Sequence, residues 1–143
     1  FTEALNVDLQ LHAPHVTAHV VMPGHIGTEI GLNSTAAHGG PDLERIRKNL
    51  AERGAEVDQM TDEDLTNLVT LRGERFRDEA PTTAEQASEI ILNAVKENRW
   101  RVLVGDDAVV IDELVREDPE AAYKPEFLQR IVNRGHLNFF DRG

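Results

Sequence analysis

The chain has 143 residues, 26 acidic against 15 basic, a net charge of −11 and no cysteine. One domain, or part of one, fits that length, and a 40% hydrophobic share suffices for a packed core, so disorder is not the default. The acidic excess excludes a nucleic-acid module built on a basic face, and the lack of cysteine excludes disulfide and thiolate-zinc scaffolds and fits a reducing, cytoplasmic setting.

Phe1, Ala4, Leu5, Leu9 and His12 follow a three-four spacing, which predicts a helix from Phe1 to about Leu11. Nothing precedes Phe1 to cap it, and a start at Phe rather than Met is expected of a processed product or a fragment. Pro14 ends this helix. The β-branched run from His15 to Met22 predicts a short, mostly buried strand, stopped by Pro23-Gly24. No signal-like segment opens the chain, and no apolar run reaches the roughly 18 residues of a membrane helix, so no membrane partner is expected.

The segment from Thr28 to Gly40 is rich in Gly, Asn and Ser, and helical patterns follow. Leu43, Ile46 and Leu50 mark one helix, with Gly54 placed as its glycine stop. Thr61 with Asp62, Glu63 and Asp64 starts another, whose buried stripe is Leu65, Leu68, Val69 and Phe76. Pro81-Thr82-Thr83 with Glu85 and Gln86 holds a capping box in either of two registers, opening a helix with Ala84, Ala87, Ile91, Ala94 and Val95 on one face.

Arg99 to Val104 reads as a second strand ended by Gly105. Asp106-Asp107 are then expected to cap a helix with the face Val110, Ile111, Leu114 and Val115. A last short helix spans about Glu126 to Asn133, before a tail with Phe139 and Phe140. Strands joined through helices predict an α/β fold with a parallel sheet. Two strands do not make a complete parallel sheet, so further strands are expected outside this chain.

Pro23-Gly24-His25-Ile26-Gly27-Thr28, just past the first strand, carries the most chemical content. A glycine at the carboxyl end of a parallel strand lets a ligand approach the backbone, and ligands of open α/β sheets bind at that edge. The Ile26 N–H donates and the Thr28 hydroxyl both donates and accepts, a set suited to an amide. A plain strand-to-helix turn is the structural alternative.

Phe1-Thr2-Glu3-Ala4-Leu5, then Val20-Val21-Met22-Pro23-Gly24-His25-Ile26-Gly27-Thr28, resembles the C-terminal half of short-chain dehydrogenase/reductases. The run Ala84 to Ile91, followed by Arg99-Trp100-Arg101-Val102-Leu103-Val104-Gly105-Asp106-Asp107, is similar to the closing helix and strand of that family. Residues 1–143 would then form one partial domain, the C-terminal part of a Rossmann-type sheet, with residues 29–81 as a helical substrate lobe. The resemblance implies NAD or NADP as cofactor, held by Pro23, Gly24, Ile26 and Thr28, with the Thr28 hydroxyl on the carboxamide. It assigns His25, Glu29 and Ile30 to the substrate lobe. The implied reaction interconverts a small-molecule carbonyl and a secondary alcohol, with hydride moving to or from the nicotinamide and a tyrosine exchanging the proton.

This sequence departs from the family in two ways. It has no Gly-rich dinucleotide loop, and no Tyr-x-x-x-Lys pair, since Tyr123 is followed directly by Lys124. No catalytic residue is therefore expected in this chain.

Other groups have plainer uses. His12, His15 and His19 are expected as surface or interface residues rather than metal ligands, because Pro14 breaks the helix that would align them. Trp100, between Arg99 and Arg101, is expected to pack against a helix rather than stack on a nucleotide, and the acidic clusters around Asp58–Asp64 and Glu117–Glu120 to be solvated. Val7 and Leu11 give the first helix a second apolar side, which predicts a homodimer or homotetramer. The rival is a non-enzymatic acidic interaction module, in which Pro23-Gly24 is only a turn.

Overall fold

Short polar caps and a few glycines divide the chain into its elements. The structure, a computed structural model, describes residues 1–137; Phe139 and Phe140 lie outside the described residues. In chain order the elements are α1 (Thr2–His12), β1 (Val20–Pro23), β2 (Ile26–Gly27), α2 (Ile30–Ala37), α3 (Leu43–Glu52), α4 (Asp62–Asp78), β3 (Thr82–Thr83), α5 (Ala84–Lys96), β4 (Arg101–Val104), α6 (Asp106–Glu117), a 3-10 turn (Ala121–Tyr123) and α7 (Phe127–Asn133). The fold is mixed α/β with short parallel strands. Contacts divide it into two units, one of Phe1–Ile26 with the chain from Pro81 onward, the other Gly27–Ala80.

The first unit is organised by β1 and β4, which pair in parallel with Val20 opposite Arg101 and Pro23 opposite Val104. Val102 and Val104 alternate along β4 and are fully buried. Ala87 and Ala94 of α5, seven residues apart and so on one helix face, pack on them, joined by Val21, Ile26, Ile90 and Ile91. The small alanines let the helix lie close to the strands. From the opposite side of β4, Arg101 donates to Asp112 of α6 at 2.6 Å, so each face of the strand has a helix against it. Leu114 and Ala108 of α6, with Ala121 and Ile131, extend the buried set toward α7. The two-residue strands β2 and β3 pair in a ladder of their own.

Two expectations change here. The first strand begins at Val20, not His15, because β4 offers only four residues to pair with. His19 instead donates from Nδ1 to the Arg99 carbonyl at 2.7 Å. Val95 is exposed, and Ile90 takes its place against the core. In α1 no residue is buried, and Phe1, its N-cap residue, is fully exposed.

The second unit is helical. Leu65 of α4 is fully buried and Val57 nearly so, and α4 packs against both α2 and α3. Gly73, in the middle of α4, has no side chain because Leu32 of α2 fills that space; a Cβ there would lie 2.4 Å from Leu32 Cδ2. The turn between α3 and α4 is held by Arg47, which donates to the Val57 and Met60 carbonyls and to Asp62.

The caps expected on α4 and α5 form. Thr61 and Asp64 make a reciprocal capping box on α4, and Thr83 and Gln86 make another on α5, which selects the later of the two registers. Hydrogen bonds from the Thr61 hydroxyl and N–H hold the Asp64 carboxyl below its ordinary range. A carboxyl whose folded pKa is depressed adds stability above its unfolded pKa and loses it as pH falls through the folded value. Asp64→Ala is expected to lower the urea midpoint near neutral pH and to reduce the further drop between about pH 5 and about pH 2. Parallel acid curves for parent and variant would show that Asp64 does not contribute to the acid response.

Candidate functional site

The carboxyl ends of β1 and β4 bring the backbone of two loops together. The Gly24 N–H donates to the Val104 carbonyl at 2.9 Å, continuing the ladder one step past the strand. β4 then enters Gly105, whose φ of +98° places it in a region where side chains are strained, and the chain turns directly into α6. Both loops thus meet at the start of a helix, at the sheet edge where ligands of α/β proteins bind.

Asp107, in the first turn of α6, is the most deeply buried polar residue described, at 1% exposure. Its Oδ2 accepts the His25 N–H at 2.5 Å and its Oδ1 accepts the Ala108 N–H at 3.0 Å. The carboxylate lies between two glycines. A Cβ on Gly24 would sit 1.9 Å from Asp107 Oδ1, and one on Gly105 would sit 2.6 Å from the same atom and 3.0 Å from the Thr82 hydroxyl. Thr82 and His25 are themselves buried, at 7% and 6%.

This corrects the expected role of the aspartate pair. Gly105 is the N-cap, no side chain caps α6, and Asp106 and Asp107 are its first helical residues. Asp106 points to solvent while Asp107 turns inward. The space beside Gly24, expected to admit a ligand, is occupied by the chain's own carboxylate. The signal in the sequence was the pairing of two strand-end glycines with an aspartate, but the contact spans 82 residues and no local pattern shows it.

The seven residues singled out at this loop divide between the units. Pro23, Gly24, His25 and Ile26 belong to the first, and Thr28, Glu29 and Ile30 to the second. Pro23 is exposed and Gly24 half-buried; the Ile26 side chain packs on the Val102–Val104 core, and its backbone lies in the ladder of β2 with β3. His25, placed with the substrate lobe by the resemblance, is a buried member of the first unit with its N–H committed to Asp107. Thr28 is half-buried and Glu29 is the N-cap of α2. Glu29 accepts from Arg77 at 3.2 Å, and Arg77 also grips Asp78 through two nitrogens, at 2.6 and 3.0 Å. Asp78, and more weakly Glu29, hold the Arg77 guanidinium above its ordinary range, and Arg77 holds the Asp78 carboxyl below its own. Ile30 is 65% exposed.

The histidines have ordinary partners. His12 meets Asp8 at 3.0 Å one turn back, and His19 adds a 3.2 Å contact with the Thr17 hydroxyl to its carbonyl bond. Among the described residues no three His, Asp or Glu side chains gather in a metal-binding cluster. Trp100 is half-buried and lines a cleft with Asn6, Gln10, Pro14 and Val16.

Comparison with known protein families, with curated proteins and with solved structures finds no match.

Gly105 concentrates the strain of the edge. Gly105→Ala must adopt a positive φ and push a methyl toward Asp107 and Thr82. It is expected to cost about 1–3 kcal/mol, read as a lower urea midpoint at unchanged slope. A midpoint equal to the parent's would mean that the edge relaxes freely.

Proposed function

We propose that this chain is part of an NAD- or NADP-dependent short-chain reductase that interconverts a carbonyl compound and a secondary alcohol. The observation that carries this reading is the edge itself: parallel β1 and β4, separated by a long helical excursion, end together at Pro23-Gly24 and Gly105, where α6 begins. Ligands of open α/β sheets bind outside the carboxyl ends of the strands.

The residues at the edge suit a flat, amide-bearing ring. Pro23 is exposed at the end of β1, and the Ile26 side chain is withdrawn into the core. A nicotinamide bound there supplies a hydride donor or acceptor at C4. By the resemblance, Pro23, Gly24 and Ile26 would line the ring, and the Thr28 hydroxyl, both donor and acceptor, would hold its carboxamide. The Gly27–Ala80 unit, with Glu29 and Ile30 at its start, would be the substrate lobe. The Tyr-x-x-x-Lys pair and Gly-rich loop of such enzymes have no counterpart among these residues, so proton transfer and phosphate binding would fall to other parts of the protein.

The sheet supports this reading in a second way. Among the described residues the parallel sheet has two strands with unpaired outer edges, and parallel sheets are otherwise larger and covered. Further parallel strands would satisfy them.

In the full-length protein, Thr28→Val removes one hydroxyl at nearly constant shape. It is expected to weaken binding of the reduced dinucleotide by about 0.5–1.5 kcal/mol while leaving the thermal midpoint unchanged. Kinetics and cofactor affinity identical to the parent's would detach Thr28 from the cofactor.

The same reading places α1 at a subunit contact in a homodimer or homotetramer. Val7 is 58% exposed and Leu11 73%, and the two lie four residues apart on one stripe. Leu11→Glu is expected to shift the full-length protein to smaller species in light scattering. A monomer already in the unaltered protein at micromolar concentration would remove α1 from any self-association.

A further inference from the structure

The geometry points to Asp107 as a positioning residue that fixes the Pro23–Ile26 loop from behind, and so sets the direction of the peptide groups offered to the nicotinamide. This rests on the reductase reading above. Three observations carry it. The carboxylate is 1% exposed and accepts from the backbone on both sides, His25 at the loop and Ala108 in its own helix. Both glycines of the edge owe their missing side chains to it, since a Cβ on either would fall within 2.6 Å of Oδ1. Gly24 is in addition tied to β4 through the Val104 carbonyl, so the loop is clamped at consecutive residues, Gly24 by the sheet and His25 by the helix.

Two clamped peptide units in succession leave the loop little freedom to rotate. The Gly24–His25 peptide cannot turn without losing the bond to Asp107, and Ile26 follows it directly. Asp107 has no need to touch the cofactor; it acts through the loop.

The test compares four forms of the full-length protein: unaltered, Asp107→Ala, Gly24→Ala and the double variant. Thermal unfolding is read alongside calorimetric binding of NADH and NADPH, and of ADP and 2′,5′-ADP, which carry only the adenine half. Asp107→Ala is expected to weaken the preferred dinucleotide about tenfold or more, with adenine-half affinity held within about twofold. Gly24→Ala is expected to do the same, because its methyl displaces the carboxylate. The double variant is expected to be more stable than the sum of the single losses allows, since the methyl then enters the space the carboxylate left, while its dinucleotide affinity stays low. Asp107→Asn, which keeps an acceptor for the His25 N–H, guards against a variant that fails to fold and is expected to recover part of the affinity.

If the unaltered protein binds a dinucleotide but Asp107→Ala weakens both halves equally, or neither, the positioning role is overturned and the reductase reading stands. If additive unfolding losses appear in the double variant, the contact between Gly24 and Asp107 does not exist as described. If the unaltered protein binds neither dinucleotide, the reductase reading falls and the positioning role falls with it.

Discussion

Burying a carboxylate is costly unless its lone pairs are satisfied, and Asp107 meets that condition with two backbone donors drawn from segments far apart in sequence. The neighbouring backbone conforms to it. Gly24 and Gly105 carry no side chain because the carboxylate fills their space, and Gly105 takes a positive φ so that α6 can start at once and present Asp107 to the loop. Remove the carboxylate and two buried N–H groups lose their acceptor together, so the residue matters more through what it would leave unpaired than through any net attraction. The ends of β1 and β4 and the start of α6 are therefore one structural decision.

That decision also offsets a topological weakness. β1 and β4 are only four residues each and are separated by nearly eighty residues of chain, so their pairing carries a loop-closure cost and few hydrogen bonds. Ala87 and Ala94 let α5 lie close on Val102 and Val104, which adds apolar contact without bulk, while Arg101 with Asp112 ties the other side of β4 to α6. The bond from Asp107 to His25 adds a non-local link at the one end of the pair that the helices leave to the loops.

The parts of the fold legible in the sequence are those decided locally. Thr61 with Asp64 and Thr83 with Gln86 close within one helical turn, so residue type and spacing were enough to place α4 and α5. The parallel pairing followed from strands separated by helices. α2 was missed because Ile30 to Ala37 has neither a cap nor an apolar stripe; what it packs against, Leu32 into the gap left by Gly73, lies forty residues away. The strand from His15 was too long because β propensity describes a residue's fit to a sheet and not the length of the partner available. At the candidate site the loop Pro23 to Ile26 was legible and its anchor was not. Asp107 looked like a cap because aspartates after a strand usually are caps.

The anchor changes what the glycines mean. A glycine at the carboxyl edge of a parallel strand invites the inference that something from outside comes close, yet at Gly24 the close neighbour is internal. The glycine alone therefore supports a turn as well as it supports a ligand. The other side of the same loop differs, since Pro23 is exposed while the Ile26 side chain is withdrawn into the core. A flexible glycine alone would turn the chain; here a buried carboxyl group also holds the turn from behind. A carboxylate wedged behind the loop costs desolvation and forbids side chains at two positions, and in return it makes the rim rigid. Rigidity of backbone groups is useful chiefly where another molecule must meet them in a fixed direction.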